Sequence, residues 1–276
     1  MNRRRAAAAR GSGARGATGG GMKKLQQAMM VLLGAALAAS PAGAAVEGTV
    51  WNGTTGREQA GVAITLLKLE QGMMPVGTAK SGAAGKFRFD QNVMGSAGQA
   101  VPILLRGEFD GVTYNQMIPP GTRTGDVRLT VYKAAPADAQ SKLGVPEQRI
   151  VFLEPSGRQM AVTEFFIYQN QSQPPVTYTD AKRGTLRFYL PAEAKGAVQV
   201  SATGSTGMPL PETAEKAGPP DIYRVSYAIK PGDSRIEISY AMPYSSPLDF
   251  DVRSLYDGLA TRIAAPSGVT LSGDGL

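Results

Sequence analysis

Apolar and polar positions alternate along most of the chain, the two-residue period of strands with one dry and one wet face. The run KFRFD at 86–90 is the clearest case: Phe87 and Phe89 point one way, Lys86, Arg88 and Asp90 the other. Similar segments predict strands at 46–51, 62–69, 102–109, 112–118 and 127–132, with Asn52-Gly53, Thr55-Gly56 and Asp110-Gly111 as turn signals between them. A second series follows. Strands are expected at 149–154 and 160–170 around a Pro155-Ser156-Gly157 turn, then at 185–190, 197–203, 223–229 and 235–240, the last two joined by Pro231-Gly232-Asp233. Pro174-Pro175 and Pro219-Pro220 mark long loops, because proline cannot serve a central ladder.

This patterning predicts an all-β protein of two β-sandwich domains in tandem, 45–133 and 147–266. The second is expected to be immunoglobulin-like or a similar antiparallel sandwich. Between them the Ala/Pro-rich stretch 134–146 reads as a linker, and the Gly-rich stretch 267–276 as a flexible tail.

The beginning of the chain follows a different pattern. Residues 22–44 have the three parts of a secretory signal peptide: Lys23 and Lys24, a short apolar run at 28–39, and the small-x-small site Ala42-Gly43-Ala44. Residues 1–21 are a low-complexity, disordered-type tail, and either Met1 or Met22 can serve as the start. The apolar run is too short to span a bilayer, and the mature chain is expected to carry no transmembrane helix. Export to the periplasm or cell surface follows. The leader also accounts for the charge. The chain has 29 basic and 22 acidic residues, and the whole excess of +7 lies before residue 45. The mature chain has no net positive field, which argues against a nucleic-acid partner.

The chain contains neither Cys nor His. No Ser-His-Asp or Cys-His arrangement can be built. Zinc sites normally need those side chains. The glycine-rich stretch VEGTVWNGTTGREQAGVAITLL at 46–67 has no lysine and no following helix, so it is no phosphate loop. GSAG at 95–98 and GSTG at 204–207 lack the spacing of a nucleophile elbow. Asp249, Asp251 and Asp257 form the tightest acidic cluster, but Arg253 stands where a calcium loop would need another oxygen ligand. Ser141-Lys142 lies in the expected linker, a poor place for a preorganised dyad. No cofactor and no metal site are expected. The remaining functional candidates are aromatic: Trp51, Tyr114, Tyr178, Tyr240 and Tyr244, at strand ends or beside proline-rich loops, could stack on a sugar or clasp a peptide.

Gly48-Thr49-Val50, Thr55-Gly56, GVAITL at 61–66, Thr78 and GKFRF at 85–89 come in an order that resembles the carboxypeptidase regulatory-like domain. The resemblance implies a transthyretin-like β-sandwich of about seven strands over some 90 residues. It departs from the family pattern after Phe89. Domains of this family accompany zinc carboxypeptidases, outer-membrane receptors and surface proteins without being catalytic themselves, and no functional residue is carried over. The combined reading is a non-enzymatic, exported binding or scaffolding module contacting an envelope protein or polysaccharide. A carbohydrate-binding module using exposed aromatics is the alternative.

Overall fold

A computed structural model describes residues 45–136, 143–194, 198–205, 207–218 and 220–273. The expected N-terminal tail (1–21), the expected signal peptide (22–44) and Ser141-Lys142 lie outside the described residues. The elements of the first half are β1 (Val46–Asn52), β2 (Arg57–Glu58), β3 (Ala63–Leu69), β4 (Met73–Lys80), β5 (Lys86–Phe89), β6 (Ile103–Phe109), β7 (Val112–Ile118) and β8 (Val127–Val131). Then come β9 (Ala134–Ala135), β10 (Gln148–Ser156), β11 (Gln159–Asn170), β12 (Thr177–Tyr178) and β13 (Leu186–Tyr189). The chain continues with β14 (Gln199–Thr203), β15 (Pro209–Glu212), β16 (Glu215–Gly218), β17 (Ile222–Val225), β18 (Gly232–Pro243) and β19 (Ala260–Ala264).

The first sandwich packs two sheets. In one, β1 pairs antiparallel with β2 and β5 and parallel with β8; the other runs β4-β3-β6-β7. The alternation read from the sequence decides what lies between them. Val50, Phe87, Phe89 and Leu129 from one sheet meet Ile64, Leu66 and Leu105 from the other in a dry core. At about 25 cal/mol per Å² of apolar surface removed from water, this contact is the main force holding the sheets together.

The glycines of the 46–67 stretch divide by role. Gly56 and Gly61 adopt φ of +66° and +82°, which glycine accepts without strain. Gly48 instead lies mid-strand, and a Cβ there would sit 2.0 Å from the Val127 carbonyl oxygen. A Cβ on Gly53 would meet the Tyr132 ring at 2.2 Å. Positive φ therefore explains two of them; the other two, including Gly53 of the expected Asn52-Gly53 turn, allow close approach of β8 and the segment after it.

The second sandwich faces the six-stranded sheet β15-β14-β18-β11-β10-β19 with the three-stranded sheet β13-β17-β16. Val151, Val162, Phe166, Ile236 and Ile238 of the larger sheet pack with Leu186, Phe188 and Val225 of the smaller. Several local expectations are corrected. The β10–β11 hairpin turns at Gly157-Arg158, with Ser156 paired to Gln159, so Pro155 and Ser156, expected in the turn, belong to β10. The segments 223–229 and 235–240 do not form a hairpin: β17 pairs with β13 and β16, and the chain crosses to the other sheet before β18. The sheets are not wholly antiparallel, since β19 runs parallel to β10 as β8 does to β1. Ala134 and Ala135 form a strand, Leu143 enters the second core, and Leu271 packs against that core.

Candidate functional site

The alternation of β10, β11 and β18 places two charged residues in the second core. Arg149 opposes Phe166 and Glu164 opposes Ile238, so Arg149, Glu164 and Tyr240 lie diagonally across three neighbouring strands. All three are buried. Arg149 donates from Nε and Nη2 to Glu164 Oε2 at 2.9 and 2.7 Å, and Tyr240 donates to Oε1 at 2.9 Å. The remaining guanidinium arm reaches the Arg253 carbonyl at 2.8 Å. It thereby pins the segment 244–259, whose Leu248, Phe250 and Val252 lie against the core. Each charge in the network has a partner, the condition for burying charge at tolerable cost. Burial, with Glu164 alongside, pushes the Tyr240 phenol far up.

Tyr114 and Tyr178 lie where the two sandwiches meet. Thr177 donates its amide to the Lys133 carbonyl at 2.9 Å, and Thr179 donates to Ala135 at 3.0 Å, forming the parallel β9–β12 pair. Tyr178 and Ile229 exchange backbone hydrogen bonds. The Tyr114 hydroxyl donates to the Tyr132 carbonyl at 2.7 Å and sits 2.8 Å from Thr177 Oγ1. Thr54 donates to the Pro175 carbonyl at 2.5 Å and accepts from the Lys133 amide at 2.9 Å. The Lys230 ammonium stands 5.2 Å from the Tyr114 ring centre, a cation–π contact. Burial lowers the Lys230 pKa, raises that of Tyr114, and pushes that of Tyr178 up to about 12. Ala228 of the second half packs on the first core.

Tyr114, Tyr178 and Tyr240 are thus corrected as ligand contacts: each is under a tenth exposed, and no ring face is offered to a ligand. Their strand-end positions, read as open, are covered by the junction or by the 244–259 segment. Tyr244 is half-buried against the second core, and its amide donates to the Arg158 carbonyl at 2.9 Å. It anchors the start of that segment.

Trp51 alone among the five faces outward on a sheet. On the outer side of the first sandwich, the β5-β1-β8 register sets Lys86, Thr49 and Arg128 in one row, and Trp51 beside Thr130 in the next. The Arg128 guanidinium lies 4.8 Å from the Trp51 ring centre, and Lys86 donates to Thr49 Oγ1 at 2.8 Å. Two open clefts border this face. One, of about 520 Å³, includes Lys80, Lys86, Arg88 and Asp126; the other, of about 490 Å³, includes Gln116, Arg123, Asp126 and Arg128. Lys86 was legible in the sequence as an outward residue. The parallel β1–β8 pairing that brings Arg128 beside it joins segments far apart in the chain and was not.

A second surface carries aromatics that the sequence reading missed. Phe152 and Phe165, on the outer face of β10 and β11, stand edge to face at 5.7 Å, with Arg235 over Phe165 at 4.9 Å. Rings at 83° to each other form no flat platform for a sugar.

A third cleft does not bring two carboxylates together. Glu212 and Glu237 border it, but they oppose Val200 and Ser201, adjacent residues of β14, so their side chains leave opposite faces of the sheet. Burial raises the Glu212 pKa. Asp251 pairs with Arg253 at 2.6 Å, and Asp249 and Asp257 are exposed. Among the described residues no group of three or more acidic side chains is placed to hold a metal ion, and no helix is long and apolar enough to cross a membrane.

No protein-family model matches the chain, so none supports the carboxypeptidase regulatory-like resemblance, and no curated protein matches it. Among solved structures, it is similar to the shaft pilin SpaA from Lactobacillus rhamnosus GG, at 9% identity over 82% of this chain and 99% of that one, with a TM-score of 0.23. It is also similar to BcpA, the major pilin subunit of Bacillus cereus, at 12% identity over 75% and 61% of the two chains, again with a TM-score of 0.23. The fold stands on the sheets described above.

Proposed function

We propose that this protein is an exported, non-catalytic binding and scaffolding module of a bacterial envelope, in which two β-sandwiches act as one rigid body. The observation that carries the reading is the junction. Tyr114, Thr54 and β9 of the first half are hydrogen-bonded to Pro175, Thr177 and Thr179 of the second, with the partly buried Ala228 packed against the first core. A flexible tether would leave such groups to water. Holding them fixes the angle between the outer faces, which suits a part that presents surfaces at set positions. The first sandwich is proposed to be of the carboxypeptidase regulatory-like kind, supported by its two four-stranded sheets and by the close-approach glycine in the Gly-x-Val strand.

The test combines retention and turnover. The chain from residue 45 is incubated with envelope fractions and a glycan panel, and with chromogenic glycosides, esters and peptides. Saturable retention without turnover is expected. Turnover of any substrate that is lost on replacing an acidic residue contradicts the reading.

A further inference from the structure

The Trp51 face has the makings of a ligand site. We infer that it binds an acidic polysaccharide through carboxylates held by Arg128 and Lys86; the inference rests on the binding-module reading and adds the ligand class.

Three observations support it. The first is preorganisation: a cation–π contact holds the Arg128 guanidinium 4.8 Å from the indole centre, and its N–H groups make no hydrogen bond among the described residues, so they are open to a carboxylate. The second is charge placement. Lys80, Lys86, Arg123 and Arg128 all border the two clefts, and none has an acidic partner within 4 Å among the described residues. Arg88, by contrast, is taken by Glu47 and Asp90. The third is layout. Lys86 and Arg128 lie on the two strands flanking Thr49, about 10 Å apart by two inter-strand spacings. The clefts on either side both include Asp126. A chain with charges at intervals can engage both clefts, whereas a single small anion reaches only one.

A polysaccharide fits better than a nucleic acid. The chain beyond residue 44 carries equal numbers of basic and acidic residues, so it lacks the broad positive field that a duplex selects. Thr49, Thr130 and Gln116 supply neutral donors and acceptors for sugar hydroxyls beside the cations.

The experiment titrates the chain from residue 45 with polygalacturonate, neutral dextran and single-stranded DNA across a salt series. Variants are Arg128→Gln, Lys86→Gln, Trp51→Leu and, on the second sandwich, Arg235→Gln. Polygalacturonate is expected to bind with an affinity that falls with salt. Arg128→Gln should weaken it about tenfold or more, and Arg235→Gln should leave it unchanged. Trp51→Leu should weaken it less than Arg128→Gln, since the ring only positions the guanidinium. Absence of binding, equal loss in Arg235→Gln, or tighter binding of DNA overturns the inference. Polymer length is followed in the same samples: shortening would contradict the non-catalytic reading, whereas absence of binding bears only on this site.

Discussion

Replacing Arg149 by methionine is the sharpest probe of how the second sandwich is held. The substitution keeps the volume of the aliphatic stem and removes the charge. It takes two hydrogen bonds from Glu164 Oε2, leaving only Tyr240 on the other oxygen, and frees the Arg253 carbonyl. Glu164 is 1% exposed, so water cannot replace what is lost. Removing one member of a buried pair costs about 3–5 kcal/mol, a large part of the total stability of a typical domain. Tyr240→Phe removes one donor and should cost about 1–2 kcal/mol. The double variant Arg149→Met, Glu164→Leu removes both charges and should recover most of the single-variant loss. Urea unfolding followed by circular dichroism reads all three. A loss below about 1 kcal/mol for Arg149→Met, or a double variant no better than the single, would refute the claim that the network is a coupled buried unit.

Other expectations follow from particular contacts. Gly48→Ala places a methyl group against the Val127 backbone, where no side-chain rotation relieves it, and should cost about 3 kcal/mol or more in the same unfolding assay. Gly56→Ala meets nothing within 4 Å, but its φ of +66° should cost about 1 kcal/mol. Alkali should unfold the chain cooperatively. Burial raises the pKa values of Tyr168, Tyr240 and Tyr256, and that of Tyr178 to about 12, so the folded state keeps protons that unfolded phenols release near pH ~10. The stabilisation is complete below that pH and is lost as pH rises towards 12. The part of the phenolate absorbance that comes from these buried rings should therefore appear together with loss of circular dichroism; complete phenolate titration before unfolding would contradict this.

Strands with a clean wet and dry face were legible one by one. Phe87 and Phe89, or Ile236 and Ile238, declare a buried face whatever their partners are. Three of the edge strands were not legible. MMPVGTAK of β4, PLPE of β15 and EKAG of β16 have no alternation to read, because an exposed edge strand needs none. Pairing was also hidden. Segments 223–229 and 235–240 look like a hairpin locally, but each buries its apolar face in a different sheet of the sandwich, and only the assembled core decides that. The same limit explains the site residues. Tyr114, Tyr178 and Tyr240 resemble exposed strand-end aromatics until the junction and the 244–259 segment cover them. The outward position of Trp51 follows from β1 alternation, but its Arg128 partner depends on a parallel pairing across about 80 residues.

The rigid junction is tested most directly by residual dipolar couplings on the chain from residue 45, fitted separately for the two sandwiches. A single alignment tensor should describe both in the native protein. Tyr114→Phe, which leaves the Tyr132 carbonyl and Thr177 hydroxyl without that partner, should split the tensors or lower the order of one half. Two independent tensors in the unaltered protein would contradict the account.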